Sequence, residues 1–357
     1  MQVTARHNEF GGMCALAFVG CCLPLVAAAA SSDADRLRIR AIAPDEATQF
    51  IRGEHWTIYL DGTIDAGAGE RLARVIREKN IAAASVTLNS RGGDLAAGMG
   101  LGRVIRAAGF STDVGRETAE PLASAPGVCF SACAFAYAGG GWRYLDEESK
   151  IGVHRVHREV ARDDDLAAGQ SVSGVITRYF SDMGVSTELF ALMAQVPSED
   201  IRLLAPAEAR RLRLVNDGRG VPEWSIEASD AGFYLRGAQD TDSGPGKVVL
   251  GCVGTGWVLM GFYSVTNAEE IAAGAVRASV RVDDGFVSLP SKDFYAKNGD
   301  VVGMADLAPT TVARLRRAQA IGFAFHSPNP EIFWGFAVEV GEFREKLERY
   351  FSACQAK

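Results

Sequence analysis

Asn89-Ser90-Arg91-Gly92-Gly93, then Gly127-Val128-Cys129-Phe130-Ser131-Ala132-Cys133-Ala134-Phe135, then Ile151-Gly152-Val153-His154 stand in that order along the chain. The first is a Gly-Gly turn that ends the apolar run Ala84 to Leu88. The second sets a serine among small residues at the start of a helix, expected over Cys129 to Ala138. The third puts a histidine on a strand, expected over Lys150 to Val156. Acyl transfer by a serine needs a nucleophile, a base to take its proton and backbone N–H donors for the oxyanion. The three stretches supply one part each.

Working outward, His55 to Leu60 is β-rich and ends at Asp61-Gly62. Residues 67–79 carry a helical period through Leu72, Val75 and Ile76. Leu95 to Ala108 does the same through Leu101, Val104 and Ile105, and Phe110 to Val114 is a further strand. This β-α-β-α-β order predicts an α/β fold of parallel crossover units. Residues 159–170 read as a charged surface loop. Helical patterns follow at 171–183, 186–195 and 206–213, and Val215-Asn216-Asp217 reads as the exit from a first domain spanning 51–220.

Beyond Gly220 strands dominate: Trp224–Ala228, Lys247–Tyr263 and Val276–Val282. Asp283-Asp284-Gly285 is a hairpin signal before Phe286–Leu289. An amphipathic helix over Val340 to Ser352 closes a smaller β-rich α+β domain, 221–357. Residues 31–50 read as a polar, poorly ordered lead-in.

The first 30 residues have the layout of a secretory signal peptide. Arg6 and His7 precede an apolar run from Met13 to Val26, and Ala27-Ala28-Ala29-Ala30 offers an A-x-A site before Ser31. The run is shorter than a membrane span and Pro24 interrupts it. The expectation is an exported protein, periplasmic or extracellular, that meets the membrane only through this segment. Cys129, Cys133, Cys252 and Cys354 then remain in an oxidising compartment, where four cysteines allow three pairings. No cysteine–histidine spacing suggests a metal, and no motif implies a cofactor. The net charge is −7 over 357 residues without a basic run, which argues against nucleic acid as a partner.

From about Ile58 to Asp217 the chain resembles the ClpP/crotonase fold, and within it the ClpP-like serine peptidases, most of all their periplasmic group. Asn89 to Gly93 looks like that family's N-S-P-G-G turn, with Arg91 in place of proline. Gly127 to Phe135 is similar to G-x-x-x-S-x-x-x-F, and Leu204 to Asp217 to a segment reading roughly L-S-A-P-E-A-x-x-x-G-L-V-D. The resemblance implies Ser131 as nucleophile, His154 as base and the N–H groups of Gly92 and Ala132 as the oxyanion donors. It implies a triad acid just before Leu203, where Asp200 is the candidate and Glu199 stands behind it. It also implies a peptide or protein substrate and allows a homo-oligomer, although the helical segment that builds the family's rings is not recognisable here.

Each residue has a plainer reading. Ser131 can be a helix-start serine, Gly92-Gly93 a bare turn, and Ser198-Glu199-Asp200 a solvated cap. His157 reads as a surface histidine and Lys150 as a strand flank, although a Ser-Lys pair is known in the fold. Cys129 and Cys133 bracket Ser131 at i and i+4. They can bridge, lie buried as small hydrophobes, or supply a thiol nucleophile. With the first domain assigned, Cys252 and Cys354 are the cysteines left outside it, on a strand and after the last helix, and are expected to pair. Two functions follow: a serine hydrolase, most readily a peptidase with other acyl hydrolysis as a variant, or a non-catalytic module that keeps the fold to bind a peptide or partner.

Overall fold

The computed structural model describes residues 36–46, 49, 53–119, 123–156, 165–230, 232–254, 256–289 and 294–355. The expected signal segment with Cys14, Cys21 and Cys22, the start of the lead-in, and His157 lie outside these residues. No helix among the described residues is long and apolar enough to cross a membrane.

The first half is built on a five-stranded sheet. Its elements are β1 (Arg38–Ile42), β2 (His55–Asp61), α1 (Ala68–Glu78), β3 (Ala83–Asn89), α2 (Leu95–Ala107), β4 (Ser111–Glu117) and β5 (Ser124–Pro126), with the strands in the order β1-β2-β3-β4-β5. β2, β3 and β4 are parallel, as the alternation of strand and helix requires; β1 and β5 flank them antiparallel. Ala84, Val86, Thr87 and Leu88 of β3 are all buried, because a central parallel strand is covered on both faces. Asp94 starts α2 by accepting a hydrogen bond from Ala97 N at 2.7 Å, a cap that contributes about 1 kcal/mol.

β6 (Val128–Phe130), α3 (Ala132–Ala138), β7 (Lys150–Val153), α4 (Asp165–Asp182), α5 (Glu188–Ala194), β8 (Arg202–Leu203) and α6 (Pro206–Arg211) complete this half. β6 and β7 are parallel, and β8 pairs antiparallel with β7. A bridge from Ser90 to Cys129 ties β6 beside the end of β3. One continuous core runs from Leu37 to Val215. Phe135 stacks on Phe180 with ring centroids 4.9 Å apart, and the buried Tyr179 hydroxyl donates to Phe135 O at 2.6 Å. Arg106 donates to the carbonyls of Ala138, Gly139 and Gly140, so a guanidinium caps the C-terminus of α3, where the dipole favours a cation. Arg143 is buried and donates to the carbonyls of Gly140, Met183, Arg213 and Leu214. Burial pulls its pKa down to about 10, so it stays charged at neutral pH.

The second half comprises β9 (Glu223–Ser229), β10 (Gly232–Gln239), β11 (Gly246–Val253), β12 (Gly256–Ser264), α7 (Ala268–Gly274), β13 (Arg277–Val282), β14 (Gly285–Ser288), β15 (Phe294–Lys297), β16 (Asp300–Asp306), α8 (Pro309–Leu315), β17 (Ala320–His326), β18 (Phe333–Glu339) and α9 (Arg344–Gln355). They form two antiparallel sheets, β15-β16-β12-β11-β10-β9 and β14-β13-β17-β18. A second core, from Leu235 to Phe351, holds these sheets and α9 together. Leu347 and Phe351 of α9 are fully buried, and Tyr350 donates to Leu250 O at 2.8 Å. Cys252 of β11 is bonded to Cys354 of α9.

Several local expectations change. Part of the polar lead-in is not loose: Arg38–Ile42 pairs with Thr57–Asp61 as an edge strand, because the i, i+2 pair Ile39 and Ala41 packs on the core and sets a strand register among the charges. The helix expected from Cys129 begins at Ala132, and Cys129 sits on β6. β7 stops at Val153, so His154 follows the strand rather than lying in it. Helix α4 opens at Asp165, inside the expected loop 159–170. The last helix starts with a 3-10 turn at Gly341–Phe343 and extends to Gln355.

Candidate active site

β3, β6 and β7 are neighbours running in the same direction. The Gly92-Gly93 turn, Ser131 and His154 each follow the carboxyl end of one of them. Carboxyl ends of parallel strands are where α/β folds gather ligand-binding groups, because the chain must turn there into loops and helix N-termini. Phe130 pairs with Gly152, and Ser131 N donates to Gly152 O at 3.0 Å. The serine backbone is thus fixed two residues from the histidine.

Ser131 has φ 55° and ψ −122°, a conformation that L residues avoid and that costs of order 1–3 kcal/mol. It is held from several sides. Asn89 accepts from Val128 N at 3.1 Å through Oδ1, while its Nδ2 donates to Asp61 Oδ2. Phe130 N donates to Ser90 O. The sharp passage from strand to helix lifts the serine side chain out of the strand, as in nucleophile elbows. Ala132 is the first residue of α3, where the backbone N–H has no partner within the helix. That donor lies at the positive end of the helix.

Gly92 is buried at φ 113°, and a Cβ on it would lie 2.9 Å from both Ser131 Cβ and Phe130 O and 3.3 Å from Ala132 N. A side chain there would collide with the serine turn. The Gly92 N–H, expected to point at an oxyanion, donates instead to Ser90 Oγ at 3.1 Å. The next residue differs: Gly92 O accepts from Ile64 N and Asp94 N donates to Ile64 O. Gly93 N–H, between them, points away from Ile64 and enters no hydrogen bond among the described residues. Gly93 is exposed at φ 141°. Asn89 and Ser90 stand in the motif read from the sequence but were given no role there; the structure shows that they bond both turns.

His154 is half-buried, and its Nδ1 lies 2.9 Å from Arg155 O. A backbone carbonyl can only accept, so Nδ1 is the donor in this contact. Ser131 Oγ makes no hydrogen bond to any described residue, so the two residues follow the ends of paired strands without a direct bond between their side chains. The segment 196–203 runs back along this ribbon: Arg155 N donates to Val196 O, and Val153 pairs with Arg202. Asp200 is therefore near His154 in register, but it is exposed and its carboxylate bonds no described residue. Glu199 accepts from Ser198 Oγ. Lys150, at the opposite end of β7, is exposed.

Cys129 and Cys133, both fully buried, are bonded to each other across Ser131 with Cα atoms 5.1 Å apart. Neither is a free thiol. Among the described residues no group of three His, Cys, Asp or Glu side chains is placed to hold a metal ion.

Comparison with protein-family models gives no match, and none is found among curated proteins. Among solved structures, ClpP1 from Listeria monocytogenes matches 45% of this chain and 88% of its own, with a TM-score of 0.34 and 17% sequence identity.

Proposed function

We propose that the protein is an exported serine hydrolase, most readily a peptidase, that works through an acyl-enzyme on Ser131. The observation that carries this reading is the strained turn at Ser131, packed on Gly92 and followed by the Ala132 N–H, which has no hydrogen-bond partner among the described residues. His154 Nε2 takes the serine proton as Oγ attacks the acyl carbon, then returns it to the leaving group; water, activated in the same way, releases the product. The oxyanion rests on the N–H groups of Ala132 and Gly93, since Ser90 already holds that of Gly92. With the Arg155 carbonyl on Nδ1 and Asp200 bonded to no described residue, Asp200 does not orient the base. Closure of the Ser131–His154 gap accompanies substrate binding.

Two disulfides and the apolar N-terminal segment support export. The two separate cores support a division near residue 220, with the first part carrying the chemistry and the second recruiting substrate. A second reading, a non-catalytic peptide-binding module, is favoured by the unengaged Asp200 and the absent Ser131–His154 bond. A fluorophosphonate probe decides between them. Labelling of the wild type and none of Ser131→Ala is the expected result. Equal or absent labelling in both removes the hydrolase.

A further inference from the structure

We propose that the Cys129–Cys133 disulfide is a positioning element for the nucleophile, holding the Ser131 turn in its reactive shape; this inference rests on the hydrolase reading above. The bond leaves the second residue of β6 and reaches the first turn of α3, with Ser131 midway between its ends. The ordinary escape from a positive φ is a change of the Ser131 φ and ψ to extended values. That change straightens the chain between strand and helix. Four residues of extended chain span about 13 Å, whereas the bridge keeps the two Cα atoms 5.1 Å apart. The straightened form is thereby excluded. Hydrogen bonds fix each flank separately: Asn89 and Ser90 hold β6, and Arg106 holds the far end of α3. Across the turn itself the disulfide is the covalent tie. What it protects is the aim of two groups, Ser131 Oγ and Ala132 N–H, which relaxation would move together.

The oxidised chain is accordingly the competent form. Two-electron reduction converts the bond to two thiols and frees the turn. With a phosphine as reductant, water supplies its oxygen to phosphorus and its two protons to the thiols, so the step balances. Both sulfurs belong to fully buried residues, so the folded protein is expected to resist mild thiols.

The test measures fluorophosphonate inactivation of the full chain, separating the maximal rate of acylation from the affinity for the probe. Cys129→Ala/Cys133→Ala is expected to acylate about 10²-fold more slowly with affinity changed less than about twofold, because misplacing a reacting group by about 1 Å costs that much. Cys252→Ala/Cys354→Ala is the matched loss of a remote disulfide and is expected to acylate at the wild-type rate. Should the first variant fail to fold, the second is treated with tris(2-carboxyethyl)phosphine, and the acylation rate is followed while its near-UV circular dichroism stays native; the same drop is expected. Ser131-dependent acylation at the wild-type rate without the bond overturns this inference and leaves the hydrolase standing. Wild type that never labels at Ser131 overturns both.

Discussion

The two sides of the candidate site are built in opposite ways. The nucleophile turn is fastened by a disulfide, by Asn89 and Ser90, and by the close approach of Gly92. The histidine, one strand away, is half-buried past the end of β7, with the Arg155 carbonyl on its Nδ1 and an exposed carboxylate nearby in register. A strained residue persists only where its surroundings over-determine it, so the serine side needs this framework. On the hydrolase reading proposed above, a base has to serve both nucleophile and leaving group. On that reading the backbone preorganises the oxyanion side, while the proton-transfer side is completed with substrate bound.

The largest expected effect breaks the site on its histidine side. His154→Ala should lower kcat by about 10³-fold while the thermal midpoint stays put, as measured by peptide or ester turnover alongside a melting curve. An unchanged kcat would assign the base to another group. Next is a change that should spare the site altogether. Cys252→Ala/Cys354→Ala removes a bond with a sequence separation of 102. It should cost about 4 kcal/mol of stability in the chain-entropy account of disulfides, read by denaturant unfolding, with no change in Ser131 labelling. A drop in labelling would tie the second half to the chemistry.

A smaller effect comes from Asp113 on β4, a half-buried carboxyl away from both sides of the site. Burial, helped by Asp146, pushes its pKa up to about 6. Between about pH 4 and 6 the folded state holds a proton that the unfolded state has lost, so stability falls as pH rises through this window. Asp113→Asn can still accept from Val114 N, as Asp113 Oδ1 does. It should raise stability by about 2 kcal/mol at pH 7.5 and change nothing near pH 4, with hydrolysis unaffected. Denaturant melts at the two pH values check it, and equal effects at both would sink the argument. The smallest effect is predicted for Asp200→Asn: less than about threefold in kcat, because its carboxylate bonds no described residue and so does not orient His154. A loss of about 10²-fold or more would restore a triad formed with substrate.

Much of the first half was legible. Apolar runs separated by helical periods led to parallel β2, β3 and β4, since crossover units allow little else. Asp283-Asp284-Gly285 marked its hairpin, where Val282 pairs with Gly285. The second half was less readable: Asp300–Asp306 and Ala320–His326 pair with strands far away in sequence, Gly256–Ser264 and Arg277–Val282, and period alone does not name a distant partner.

The site divides in the same manner. Residue types and order determined that a serine, a histidine and a Gly-Gly turn would be candidates, because such chemistry needs those groups. Tertiary structure decided that Cys129 belongs to a strand, that Ser131 takes a positive φ, that Gly92 N–H is held by Ser90, and that the Arg155 carbonyl rather than Asp200 meets His154. Hydrogen-bond direction depends on how β3, β6 and β7 are set side by side. That setting is fixed by packing between residues remote in the chain, which local sequence does not encode.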